Sequence, residues 1–343
     1  MQATKANVLY AGADLHGNNV FLSLCNEAGD NVFRRRVKAN LAAVNEALDP
    51  FWERIKVLGV ESTFNWYWFV DGLREQGRNI KLGNPAKMEQ YKGLKITNDL
   101  TDADWLAEQL RIGIFPECYI YPKETRSVRD ALRRRQLFVR RRTQVLLSLG
   151  GLLERYGIKA PGAAKLEKWT SEDIQAIGLD GWVELQLEML LKAVKESDQN
   201  AKIIEKKVLA FVKPTQQYLR ITTMPGIGMA LGMLIVLESG DFSRFASAGN
   251  YASYCRTVRS ERTSNDKKKG SNNSKNGNKY LAWAFIEAAT FAARFNPRIH
   301  SWYEKKKRKS GVPKAKKALA CKLAKAVFHV MNGKDFDENM MFG

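Results

Sequence analysis

Four acidic residues have the types and spacing to do chemistry on phosphates. Asp14 and Glu61 each end an apolar run of strand character, VLYAGAD and IKVLGVE. Asp99 and Asp102 lie three residues apart in TNDLTDAD, which puts both carboxylates on one face if a helix has begun there. Four convergent carboxylates repel one another, so the set is costly unless cations neutralise it. Two Mg²⁺ ions about 3.5–4 Å apart do this, and such a pair stabilises both the attacking and the leaving oxygen in phosphoryl transfer. Asp104 competes with Asp102 for the last place, but its offset from Asp99 suits one helical face less well. Each acid also has a plain structural reading. A strand-end aspartate can cap a turn, and acids are favoured in the first turn of a helix.

The elements that must position these acids follow from the apolar patterning. VLYAGAD, NVFLSLCN and, after the turn EAGD, NVFRRRVKAN read as strands of a hairpin. LAAVNEALDPFWERI has helical spacing, IKVLGVES reads as a buried strand, and a helix over Trp66–Gln76 and a strand over Asn79–Gly83 follow. Pro85 ends that strand, because proline fixes φ and removes a donor. TDADWLAEQLRI opens on threonine with acids in its first turn, a helix start. The order β-β-β-α-β-α-β-α predicts a mixed sheet with helices packed on it.

Beyond it, helical tracts over about 124–156 and 180–212, separated by a Gly/Pro/Ala break at 157–164, read as an antiparallel pair of coiled-coil type closed by Pro214. MPGIG precedes an apolar helix, and a short helix follows at Ala246–Tyr254. This is a helix-hairpin-helix-like pattern whose glycine turn either lets backbone N–H groups approach a phosphate or is a structural turn. Residues 259–279 are polar and turn-rich, hence a loop, and helices over 280–295, 297–309 and 313–331 finish the chain before a frayed end. Trp283, Phe285 and Phe291 read as core residues of the first of these helices.

The 343 residues suffice for two domains or more, and 45% hydrophobic content excludes a wholly disordered chain. Lys plus Arg number 56 against 36 Asp plus Glu, a net charge of +20. The excess is concentrated: residues 256–325 hold 20 basic and four acidic side chains. A second cluster comprises Arg126, Arg129, Arg133, Arg134, Arg135, Arg140, Arg141 and Arg142, opposed by Asp130. Such concentration is the footprint of a polyanion. The basic runs flank apolar helices and form no membrane-facing amphipathic one, which favours nucleic acid over a lipid surface. No run of about 18 apolar residues predicts a membrane span, and no secretory signal is visible at the N-terminus. The four cysteines are far apart and read as reduced cytoplasmic thiols, and three scattered histidines argue against a zinc finger.

Taken in order, these residues resemble the DEDD transposases of insertion sequences, the group related to the Piv DNA invertases (the IS one-ten and IS eleven-eleven type). The matching segments are YAGAD14, VE61ST and ND99LTD102ADWLAE in the first half, and MPGIG, FASAGNYASYC, S264NDKKKG and SKNGNKYL in the second. The resemblance spans nearly the whole chain. It implies a RuvC-like, ribonuclease H-like α/β domain over 1–123, a helical coiled-coil connector over 124–213, and a mainly α C-terminal transposase domain over 214–343. It implies a composite site, in which Asp14, Glu61, Asp99 and Asp102 hold Mg²⁺ and a serine attacks a DNA phosphate to form a transient phosphoserine link. It also implies donor and target DNA as substrates, an element-encoded bridge RNA as guide, assembly as dimers to tetramers, and a bacterial, cytoplasmic, nucleoid-associated place of action.

Alignment through Gly270 selects Ser264 as that serine, with Ser260, Thr263 and Ser271 close by; Asn265 stands where the family often has glycine, and a lysine where it has arginine. Serine needs an activator, and no histidine is near in sequence, so activation falls to Mg²⁺ on the carboxylate domain. Lys267, Lys268, Lys269, Lys275 and Lys279, with Arg133, Arg134 and Arg135, are the candidates for contacting nucleic-acid phosphates. Two other functions fit parts of the pattern. A junction-resolving nuclease would use the same carboxylates to activate water, and a non-catalytic RNA-binding protein would need only the basic surface.

Overall fold

The computed structural model describes residues 8–88, 102–258, 261–264, 267–271 and 276–342. They form two compact units, residues 1–123 and 124–343.

The first unit is built on a five-stranded sheet of order β3-β2-β1-β4-β5. The strands are β1 (Leu9–Leu15), β2 (Asn19–Asn26), β3 (Asn31–Lys38), β4 (Ile55–Glu61) and β5 (Ile80–Gly83). β1 pairs antiparallel with β2 and parallel with β4; β2 and β3 are antiparallel, and β4 and β5 parallel. One face packs its alternating apolar residues, such as Leu9, Ala11, Ala13, Leu58 and Val60, against α1 (Leu41–Leu48) and α2 (Trp66–Glu75). A single turn, α3 (Pro85–Met88), follows β5, and α4 (Asp102–Arg111) covers the opposite face.

Close approach of α4 is possible because Gly12 of β1 has no side chain. A Cβ there would stand 1.9 Å from the Ala103 carbonyl oxygen and 2.7 Å from the Ala107 nitrogen. Ala103 and Ala107, one turn apart on α4, are the small residues that meet it. The element order predicted from the sequence is the one observed, with α3 added.

In the second unit, α5 (Lys123–Arg155) and α8 (Gly181–Val212) form a long helical pair. Arg135 pairs with Glu205 and Arg142 with Asp198, so seven residues forward on α5 are seven residues back on α8, the signature of an antiparallel arrangement. Leu146, Leu149 and Leu153 pack against Val183, Leu187 and Leu191 at the far end. The connection holds two short helices, α6 (Ala163–Leu166) and α7 (Ser171–Gln175), the second with a Thr170–Asp173 capping box.

After α9 (Gln216–Ile221) comes α10 (Met229–Ser239), apolar all round and therefore central. It packs against α8, α9 and α12 (Lys279–Phe295), while α14 (Val312–Met331) packs against α11 (Ala248–Tyr254), α12 and α13 (Pro297–Ser310), with Tyr251 and Phe285 fully buried.

Three readings of the sequence are corrected here. The segment read as a loop over 259–279 contains a two-stranded antiparallel hairpin, β6 (Glu261–Ser264) and β7 (Lys267–Ser271). It lacks apolar alternation, so the pattern that marks strands was absent. The chain end is no frayed tail: α15 (Glu338–Phe342) docks, with Phe342 against Trp302 and Lys322 Nζ donating to the Met341 carbonyl at 2.6 Å. Phe285 is core, but Trp283 and Phe291 are 43% and 42% exposed, because the buried stripe of α12 runs through Leu281, Ala284, Ala288 and Ala292 and leaves them on the far face. No helix among the described residues is long and apolar enough to cross a membrane.

Candidate active site

The parallel register of β1 and β4 pairs Gly12 with Gly59 and Ala13 with Val60, so Asp14 and Glu61 occupy the next adjacent positions at the carboxyl ends of both strands. Both lie on the face that α4 covers. Gly12 and Gly59, two residues earlier on each strand, point at α4 and at the segment that follows it, since a Cβ on Gly59 would meet Leu110 and Phe115. α4 runs back along β1. Ala103 lies over Gly12, while Arg111, at the helix end, donates to the Glu27 carbonyl beyond β2. The start of α4, with exposed Asp102, is therefore at the same sheet end as Asp14 and Glu61. Asp99 lies outside the described residues.

Asp104 has a different place. It is 6% exposed and accepts hydrogen bonds from Ser23 Oγ, from Asn31 Nδ2 at 3.0 Å and from Arg34 Nε at 2.9 Å. It ties α4 to β2 and β3.

Asp14 is one-fifth exposed, with the His16 Nε2 3.0 Å from its Oδ2. The loop after β4 is tied to the turn after β1: Asn65 Nδ2 donates to the His16 carbonyl at 2.9 Å, and Asn65 Oδ1 accepts from Thr63 Oγ1 at 2.9 Å. An open cleft of about 590 Å³ lies in front of Asp14. Hard carboxylate oxygens beside an open cleft are a donor set that Mg²⁺ takes, since it keeps several waters and needs few protein ligands. Among the described residues, no three His, Cys, Asp or Glu side chains are already gathered as a ligand cluster.

The backbone of Ser264 ends β6, in register with Lys267, and Thr263 is in register with Lys268. Lys269 is on β7, and Lys275 lies outside the described residues. The chain is pinned where it enters α12. Gly277, at φ +86°, presents its carbonyl to Arg256 Nε and Nη2 at 3.0 and 2.8 Å, and the Asn278 N–H donates to the Tyr254 carbonyl at 2.7 Å. The Asn278 Oδ1 caps α12 through the Tyr280 and Leu281 amides, while its Nδ2 donates to fully buried Glu238 at 2.7 Å. Sequence reasoning missed Glu238; a lone acid inside the apolar run MALGMLIVLES was the available signal.

Arg133 and Arg135, expected at a nucleic-acid surface, are engaged inside the unit. Arg133 donates to both Glu238 oxygens at 2.5 and 2.7 Å and lies over the Tyr280 ring. Burial alone would lower its pKa; the hydrogen bonds to Glu238 reverse this and hold the guanidinium charged, above the usual arginine range. Arg135 is paired with Glu205. Arg134, Arg140 and Arg141 are the exposed members of the cluster, and Lys279 is exposed at the start of α12. Of the two glycines of MPGIG, Gly226 serves packing. Gly226, at φ +79°, lies where a Cβ would be 2.2 Å from the Ala288 carbonyl oxygen of α12.

Residues 11–158 match a family model of IS110-type DEDD transposases, and residues 218–304 match the model described as "Transposase IS116/IS110/IS902 family". The chain is 23% identical over 333 residues to the "Transposase for insertion sequence element IS1111A" of Coxiella burnetii, covering 94% of this chain and 90% of the relative. It is also 23% identical over 243 residues to a "Probable family 20 transposase" of Pseudomonas aeruginosa, covering 69% and 71% of the two chains. The chain belongs to the IS110 family of DEDD transposases, enzymes that act on DNA.

Proposed function

We propose that this transposase cuts and rejoins the donor and target DNA of its insertion sequence at a Mg²⁺ site held by Asp14, Glu61, Asp99 and Asp102, with Ser264 as nucleophile and an element-encoded bridge RNA as guide. The observation that carries the reading is the β1–β4 register, which sets Asp14 beside Glu61 at the sheet end where α4 begins with Asp102. The reading takes 1–123 as a RuvC-like catalytic domain, 124–213 as a connector and 214–343 as the transposase domain that carries the serine hairpin. The resemblance to the family implies action in the bacterial cytoplasm at the nucleoid, as a dimer or tetramer.

Mg²⁺, when bound, offsets the negative charge that builds on the phosphodiester during attack. Ser264 Oγ forms a bond to phosphorus as the bond to one strand's oxygen breaks. The serine proton is given up to solvent, and the departing oxygen takes one. The ester energy is kept in the phosphoserine link, so a strand hydroxyl can reverse the step and rejoin DNA without ATP. Lys267 and Lys268, in register with Ser264 and Thr263, put two cations on the same hairpin, where they neutralise backbone phosphates. Lys269, Lys275 and Lys279 extend that basic segment. Of the arginines, exposed Arg134 with Arg140 and Arg141 offers charge to nucleic acid, while Arg133 and Arg135 hold α5 in place.

A trapping assay tests the nucleophile. The chain, co-expressed with the RNA flanking its element, is mixed with labelled donor and target DNA and Mg²⁺, then denatured. A protein–DNA adduct is expected in the wild type and in Ser271→Ala, and its loss in Ser264→Ala. Cleavage without an adduct, unchanged in Ser264→Ala, would instead make water the nucleophile and the chain a nuclease.

A further inference from the structure

The row of residues that holds the carboxylates continues across the sheet. Asp14 is in register with Phe21 on β2, and Phe21 with Arg36 on β3. Glu61, Asp14, Phe21 and Arg36 therefore follow one another over four strands, and directly opposed residues share a face. One row further in, Gly12, Ser23 and Arg34 are in register beneath α4, and there Arg34 is neutralised by Asp104. The outer row lies past the start of α4. Phe21 and Arg36 line the open cleft together with Asp14 and the turn His16–Asn19. Arg36 is exposed, and among the described residues it has no ion pair, unlike Arg34 two residues before it. The buried Oδ1 of Asn19, in the same cleft, has no hydrogen-bond partner among the described residues.

We propose that Phe21 and Arg36 form a track for the DNA strand being cut. Arg36 grips a backbone phosphate next to the scissile one, and Phe21 packs against the sugar between them. Adjacent strands are about 4.8 Å apart, so Arg36 stands about 10 Å from Asp14 across two strands. That backbone spacing leaves room for a phosphate at each end, the one at the carboxylates and its neighbour. A guanidinium takes a phosphate through two parallel hydrogen bonds, which fixes direction as well as position. A half-buried ring beside it offers apolar surface to a deoxyribose, which carries no charge of its own. The cleft thus presents metal-binding acid, ring and cation in the order in which a strand presents scissile phosphate, sugar and next phosphate. Arg36 and Phe21 are positioning residues for the strand. The proposal rests on the reading that Asp14 marks the scissile phosphate.

The test is a cycle between Arg36 and individual phosphates. Full-length chain, with the RNA flanking its element, cleaves donor DNA in which one phosphate at a time near the cut is replaced by a neutral methylphosphonate. At one position the wild type should lose about tenfold in cleavage rate, as expected for a charge-assisted contact. In Arg36→Ala the same replacement should cost less than about twofold, because the partner is already gone. Arg36→Lys should restore part of the penalty, and Arg36→Gln repeats the cycle with the side-chain length kept should alanine disturb the edge strand. Equal penalties in wild type and both neutral variants at every position would overturn the track. Asp14→Ala is run alongside. If it loses cleavage while the penalties stay equal, only the track fails; if it still cleaves, the metal-site reading fails and takes the track with it.

Discussion

Asp102 and Asp104 sit two residues apart in α4 and face different surroundings. Asp102 is exposed at the helix start, beside the ends of β1 and β4, whereas Asp104 is buried under the guanidinium of Arg34. Asp104→Ala removes one acceptor shared by Ser23, Asn31 and Arg34, and should cost about 2 kcal/mol in urea unfolding, with cleavage retained where the protein stays folded. Asp102→Asn should leave the unfolding midpoint nearly unchanged. The sequence could rank Asp102 above Asp104 only by helical offset; the residues that claim Asp104 come from β2 and β3, some 70 to 80 positions away. The cysteines give a second prediction at this scale. Burial pushes the Cys25 thiol up to about 11, so its thiolate forms only as pH rises toward that value, and buried Cys255 is raised by the same cause. Iodoacetamide at pH 8 should label half-buried Cys118 and Cys321 well before these two, as mass spectrometry of the folded chain would show.

At the scale of elements, the site depends on how closely α4 lies on β1. Gly12→Ala puts a methyl group into the backbone of α4, where neither Ala103 nor Ala107 can yield without moving the helix. A loss of about 3 kcal/mol is expected, together with loss of cleavage as the start of α4 shifts. The start of α12 has the same kind of dependence on Glu238. Glu238→Ala strands Arg133 and the Asn278 amide, and should cost about 3–5 kcal/mol. Most elements were legible in the chain because buried strands and amphipathic helices write their period into it. The β6–β7 hairpin was not, since its strands, ERTS and KKKGS, have no apolar alternation to mark them. Nor was the register that aligns Asp14 with Glu61, because it comes from β1 and β4 pairing across an intervening hairpin and helix.

At the scale of the whole molecule, the charge is the dominant fact. An excess of 20 positive charges draws in any polyanion, and DNA affinity should fall steeply with salt. Neutralising Lys267, Lys268 and Lys269 together should flatten the slope of log affinity against log salt by up to about 2.7, the release expected for three phosphate contacts. An unchanged slope would remove the hairpin from the contact surface. Charge of this kind was plain in the sequence, but its allocation was not. Arg133 and Arg135 look interchangeable with Arg134 along the chain, and only packing shows that two of the three are spent on Glu238 and Glu205.

The central claim is that the acids at the ends of β1, β4 and the start of α4 form one metal-dependent cutting site. Its most direct test is Mg²⁺-dependent cleavage of labelled donor DNA by Asp14→Ala, Glu61→Gln and Asp102→Asn, each checked for thermal unfolding and nucleic-acid binding. All three should bind and melt like the wild type while cleavage falls by at least about 1,000-fold, roughly 4 kcal/mol of barrier. Wild-type cleavage by any of them would contradict the account.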